Sequence, residues 1–170
     1  RHLWRCLREG GRANAENFFQ FLGHVAFGLG ARPAPAAVLP PALVYQPKLN
    51  AAPWQPGAPV AMLVFYRAHF ESGNTALFDA VLTALADAGV NGVAVAVDSL
   101  KNPTSFSLLQ ALAAEHQVAV VLNATSFAIA AMDAADDGSV TGVQAAPLAG
   151  DAPVLQLITA GCGQAQWQQD

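Results

Sequence analysis

VAMLVFYRAHFESGNTALFDAVLTALADAGV, residues 60–90, is the stretch on which the fold turns. Val60 to Tyr66 is a short, unbroken apolar run, suited to a strand covered on both faces. Leu77, Phe78, Val81, Leu82 and Leu85 then recur at helical spacing, and Gly89 follows as a C-cap. A buried strand leading into an amphipathic helix is the first half of a βαβ unit.

The alternation continues downstream. VAVAV (93–97) repeats the strand, Pro103 stands where the first helical residue belongs, and Leu108, Leu109 and Leu112 supply an apolar helix face. VAVVL (118–122) is a third strand. A loop rich in Ala, Asp and Gly, Ser126 to Asp151, leads to a fourth, PVLQLI (153–158). Strands and helices alternating with short connections predict an α/β fold, a doubly wound parallel sheet of the flavodoxin or Rossmann kind over residues 60–170. The strand-to-helix turns then share one rim, where such sheets bind ligands. Asp98 and Ser99, Asn123 and Thr125, and Thr159, Gly161 and Cys162 fall on it, as does the polar turn after Tyr66.

Upstream, Phe18, Phe21, Leu22, Val25 and Leu29 form one helical stripe, and Asn14, just after Gly10-Gly11, is the expected N-cap. Residues 1–31 are expected to be a helical pair belonging to an upstream part of a longer polypeptide. Eight prolines between Arg32 and Pro59 leave neither helical nor strand period, so 32–59 reads as a stiff, extended linker. The chain starts at Arg1 without a signal segment and stops where a helix starts near Gln164 to Asp170, which suggests a piece truncated at its C-terminus.

Composition narrows the function. More than half of the 170 residues are apolar, and the net charge is −4. No basic patch of the kind phosphate backbones require is evident, so no nucleic-acid partner is expected. No apolar run approaches the roughly 18 residues of a membrane span. Cys6 and Cys162 are too far apart in sequence for a metal-ligand motif and read as free thiols.

The turn itself carries Arg67, His69, Glu71, Ser72, Gly73, Asn74 and Thr75. "SGNT" (72–75) at the start of a helix suits an anion, because free N–H groups and the helix dipole converge there and Gly73 permits close approach. It resembles the phosphate loop of flavodoxins, although Glu71 beside it disfavours a phosphate. An ordinary N-cap by Ser72 or Asn74, with nothing bound, explains the same residues. His69 and Glu71 spell the H-x-E of zinc deaminases without its P-C-x-x-C partner. No P-loop occurs, and no metal site is expected.

Taken together, "LREGG…EN" (7–17), "FYRAH..SGNTA" (65–76), "SLK" (99–101), "VVLNATSFA" (120–128) and "DAPVLQ" (151–156) resemble the CobN/magnesium chelatase large-subunit family. The order and spacing of the blocks extend the likeness over nearly the whole chain. Asn74 and Thr75 favour the aerobic cobaltochelatase branch over the porphyrin-binding magnesium chelatase branch. Asp98 and the loop around Met132 to Asp137 depart from the pattern.

The resemblance implies a cytoplasmic, ligase-type enzyme subunit that holds hydrogenobyrinic acid a,c-diamide while cobalt(II) is inserted during cobalamin biosynthesis. It also implies AAA+ ATPase and adaptor subunits that use ATP and magnesium, in keeping with the missing P-loop. Within this segment no catalytic residue is expected beyond a weak candidate, His69, and no cofactor is expected to bind. Arg67, His69, Ser72, Gly73, Asn74, Thr75, Asn123 and Thr125 are the expected contacts to the corrinoid or to another domain. A flavodoxin-like module binding flavin mononucleotide is the rival of a different class.

Overall fold

The computed structural model describes residues 1–47, 53–125 and 148–159, with residues 166 and 168. The described strands form one sheet in the order β1-β3-β2-β4-β5: β1 (Ala42–Tyr45), β2 (Val60–Tyr66), β3 (Asn91–Val97), β4 (Val120–Asn123) and β5 (Val154–Gln156). β2, β3, β4 and β5 run parallel, as the apolar runs predict, and β1 adds an antiparallel edge with Ala42 opposite Val97.

Side-chain alternation along β2 divides the core into two layers. Met62 and Val64, with Val93, Val95 and Val97 of β3, face Leu109 and Leu112 of α5 (Pro103–Glu115). Leu63 and Phe65, with Ala94 and Ala96, face Phe78, Val81 and Leu82 of α4 (Ala76–Asp87). Phe65 and Phe78 stack 4.0 Å apart, so truncating Phe78 to Ala should cost about 3–5 kcal/mol. Helices thus cover both faces of the sheet. Leu77 was expected on the buried stripe of α4, but it points outward and is 49% exposed. α5 starts as its sequence indicates, with Pro103 in its first turn and the Asn102 side chain accepting from the Thr104 N–H at 3.0 Å.

The stretch 32–59 is more than a linker. Four of its residues are β1, whose Ala42 and Tyr45 are buried in the core. An edge strand tolerates flanking prolines, because one side of its ladder needs no partner.

The N-terminal part is a hairpin of α1 (His2–Glu9) and α2 (Arg12–Phe27). Gly10 (φ 63, ψ −167) and Gly11 (φ 81, ψ 157) form the corner, in a region that only glycine enters readily. The hairpin rests on the α/β layer, where the Gly11 N–H donates to the Glu71 carbonyl at 3.1 Å. Asn14 lies inside α2 rather than at its cap, because its amide is bonded to the main chain of Gly10 and Ala37. Gly28, in the left-handed conformation, ends α2. No helix among the described residues is long and apolar enough to cross a membrane.

Candidate functional site

The chain leaves β2 toward β3 on one side and returns from β3 to β4 on the other. Such a reversal lies beyond the carboxyl ends of β2 and β4, the place where doubly wound sheets generally take their ligands. Arg67 follows β2 there, and Asn123 ends β4 with Thr125 two residues on.

After β2 the chain enters a short helix at once, α3 (Arg67–Ser72). "SGNT" therefore closes a helix before the next begins. Gly73, at φ 76, donates its N–H to the Phe70 carbonyl at 3.2 Å, and the Asn74 N–H donates to the His69 carbonyl at 2.9 Å. This pair of bonds is the usual closure of a helix by a left-handed glycine. Those amides are consumed internally, and the carboxyl end of α3 carries the negative pole of its dipole. The turn is thus not the open anion cradle that its residue types suggest. Neither Ser72 nor Asn74 caps α4: Thr75 precedes it, and Ser72 Oγ donates to the His69 carbonyl at 3.2 Å.

Arg67 is engaged on three sides. Its Nε donates to Glu71 Oε1 at 2.6 Å, and its Nη1 donates to the carbonyls of Leu39 and Pro40. The guanidinium ties α3 to the segment entering β1. His69 is partly buried, its ring edge-on to Phe78 at 5.1 Å. Glu71 is held by Arg67, so the H-x-E pair serves packing and an ion pair.

Thr75 is buried and joins a second cluster. Its Oγ1 lies 3.5 Å from Asp79 Oδ2, while the Tyr45 hydroxyl donates to Asp79 Oδ1 at 2.7 Å. Burial first of all holds the Tyr45 phenol above its ordinary value; Thr75 opposes this and Asp79 reinforces it.

At the end of β4, Asn123 and Thr125 are 2% and 1% exposed, so every polar atom there needs a partner. Asn123 Oδ1 accepts from the Thr125 N–H at 3.1 Å and from its Oγ1 at 2.7 Å. Asn123 Nδ2 donates to Gln156 Oε1 at 2.9 Å, and Gln156 Nε2 donates to the Thr125 carbonyl at 2.7 Å. Gln156, unforeseen as a site residue, closes this network from β5. Asp98 organises the end of β3, accepting from the Ser99 N–H, Asn102 Nδ2 and Ser105 Oγ. Gly161, Cys162 and the loop around Met132 to Asp137 lie outside the described residues.

Among the described residues, Arg67, Asp98, Asn123 and Thr125 are bonded within the protein and hold loops of the rim in place. Among the described residues, no three His, Cys, Asp or Glu side chains converge as a metal ion would require.

Comparison with known proteins agrees with this architecture. The CobN/Magnesium Chelatase family model matches residues 4–170. The chain is 33% identical to an aerobic cobaltochelatase subunit CobN from Sinorhizobium sp. over 98% of its own length and 14% of that protein. It is 29% identical to the subunit of the same name from Pseudomonas aeruginosa, covering 92% of this chain and 12% of that one. The catalytic subunit of cobaltochelatase from Mycobacterium tuberculosis shares the fold, with a TM-score of 0.75 at 23% identity over 98% of this chain and 14% of that chain. The chain thus spans about one seventh of the relatives it matches, and over that span it belongs to the CobN/magnesium chelatase family.

Proposed function

We propose that this chain is a segment of the large subunit of an ATP-dependent cobaltochelatase, which inserts cobalt(II) into hydrogenobyrinic acid a,c-diamide in the cytoplasm. The observation that carries the reading is the 33% identity to an aerobic cobaltochelatase subunit along 98% of the chain. In this reading AAA+ ATPase and adaptor subunits bind ATP and magnesium, and cobalt(II) is substrate. The segment contributes a rigid α/β body whose rim meets the amide and carboxylate side chains of the corrinoid or a neighbouring domain. Proton removal from ring nitrogens belongs to parts of the subunit outside these residues.

The chemistry of the rim supports positioning over catalysis. Arg67, Glu71, Asn123 and Thr125 are already bonded within the protein, as side chains that order loops are. The test is reconstitution: the complete polypeptide, mixed with its ATPase subunits, ATP, cobalt(II) and hydrogenobyrinic acid a,c-diamide, should yield the cobalt corrinoid. Magnesium insertion into a porphyrin, with no reaction of the corrinoid, would move the assignment to the magnesium branch of the family. A yellow protein carrying flavin and inert in both assays would overturn it.

A further inference from the structure

The N-terminal hairpin buries Cys6 and partly buries Leu3, Phe18, Phe21 and Leu22, yet it leaves several large apolar side chains in solvent. On α2, Asn14 is 2% exposed and Asn17 turns toward the proline-rich segment, where their amides donate to the carbonyls of Ala37 and Ala34 at 2.8 and 2.7 Å. Other apolar side chains of the pair stand in solvent. Phe19 is 70% exposed and Phe27 75%, and on α1 Trp4 is 58% and Leu7 68% exposed. Leu7 lines a cleft of about 340 Å³ together with Ala15 of α2 and Phe70 of α3, and Phe19 is one turn beyond Ala15. Apolar surface of this extent, adjoining a cleft, marks an interaction site.

Charge adds a second constraint. Arg1, Arg5, Arg8 and Arg12 are half of the eight basic residues of the chain. Arg8 and Arg12 are paired with Glu9 and Glu16 at 2.6 and 2.7 Å, so the net positive charge of this part comes from Arg1 and Arg5. The rest of the chain carries the acidic excess. A surface that combines exposed aromatics with arginine suits a partner whose apolar contact has an acidic rim.

We propose that the outer face of α1 and α2, with the cleft beside α3, docks another domain of the same long polypeptide. The inference rests on the large-subunit reading. The occupant follows from proportion, because the matched segment is only 14% of its relative, so most of such a polypeptide lies outside this span and is available to cover the face.

The experiment introduces Leu7→Cys or Phe19→Cys, separately, into the 170-residue chain and into the complete polypeptide. Maleimide labelling is followed by peptide mapping, which separates the introduced thiol from Cys6 and Cys162. Both thiols should label rapidly in the 170-residue chain and about tenfold or more slowly in the complete polypeptide, as burial under a packed surface requires. Equal rates in the two proteins would overturn the proposal. So would protection that appears in the 170-residue chain as its concentration rises, since the occupant would then be a second copy. Corrinoid binding by the same complete polypeptide is measured in parallel. Protected thiols in a polypeptide that binds no tetrapyrrole would leave the docking intact and remove the functional reading.

Discussion

Arg67 donates from Nε to Glu71 Oε1 at 2.6 Å, one turn along α3, while the Glu71 main-chain carbonyl accepts the Gly11 N–H at 3.1 Å. Through these two residues the hairpin, α3 and the approach to β1 are joined. Arg67→Ala removes the ion pair and the bonds to Leu39 and Pro40, and should cost about 1–3 kcal/mol of stability, the usual worth of charge-assisted bonds. Arg67→Lys should recover part of this, because an ammonium cannot reproduce the guanidinium fork. Urea denaturation measures both. An unchanged midpoint together with weakened tetrapyrrole binding by the complete polypeptide would show that Arg67 serves a ligand instead.

Gly10 is expected to be the least replaceable residue of the hairpin corner. A Cβ there would stand 3.1 Å from Glu71 Cβ, and its φ of 63 with ψ of −167 disfavours any side chain. Gly10→Ala should therefore cost about 1–3 kcal/mol and loosen the hairpin from the α/β layer. Amide exchange in α1 and α2 should accelerate before exchange in β2 and β3. Uniform acceleration across the chain would show that the hairpin and the sheet open together.

What the sequence disclosed follows the physics of burial. β2 and β3 are covered on both faces, so nearly every residue in them is apolar and the run declares itself. β1 is four residues long, stands between Pro41 and Pro47, and leaves Val44 47% exposed at the sheet edge, so no period marks it. α3 has no buried residue, and its closing Gly73 is equally suited to an entry turn, which hid its role. Asn14 shows how one residue type serves two purposes: the same amide that caps helices also satisfies a distant main chain, here Ala37. Asn123 and Thr125 were legible as strand-end residues. Their partner Gln156 was not, because it is 33 residues from Asn123 and is brought there only by β5 pairing.

Tyr45 should give the protein an alkaline signature. Below about pH 10 the phenol is protonated whether the chain is folded or not, so it adds no pH dependence to stability there. At higher pH the unfolded phenol loses its proton while burial and Asp79 keep it on the folded one, so stability falls as pH rises through the raised folded value. Tyr45→Phe should cost about 1 kcal/mol near neutrality through the lost bond to Asp79, and should lessen the alkaline decline. Parallel denaturation curves at neutral and alkaline pH check this. An equal alkaline decline in both proteins would assign it to other groups.

Asn123 offers the sharpest separation of scaffold from ligand contact. It sits at the topological reversal, where a ligand contact is expected, yet its side chain is occupied by Thr125 and Gln156. Asn123→Ala would strand the Thr125 N–H and hydroxyl in a buried setting and leave Gln156 Oε1 without its donor. Leaving such groups unpaired costs about 1–3 kcal/mol each, though Gln156 is exposed and regains water, so the loss should be about 2–3 kcal/mol in total. Asn123→Asp keeps the acceptor for Thr125 but places a carboxylate against Gln156 Oε1, so the amide of Gln156 must flip to offer its NH₂. That flip removes its bond to the Thr125 carbonyl, and the variant should fall between wild type and Asn123→Ala in stability. If the network only orders the rim, corrinoid affinity of the complete polypeptide should follow this same order. An Asn123→Asp protein that is nearly as stable as wild type but binds corrinoid as poorly as Asn123→Ala would show instead that the amide itself meets the ligand.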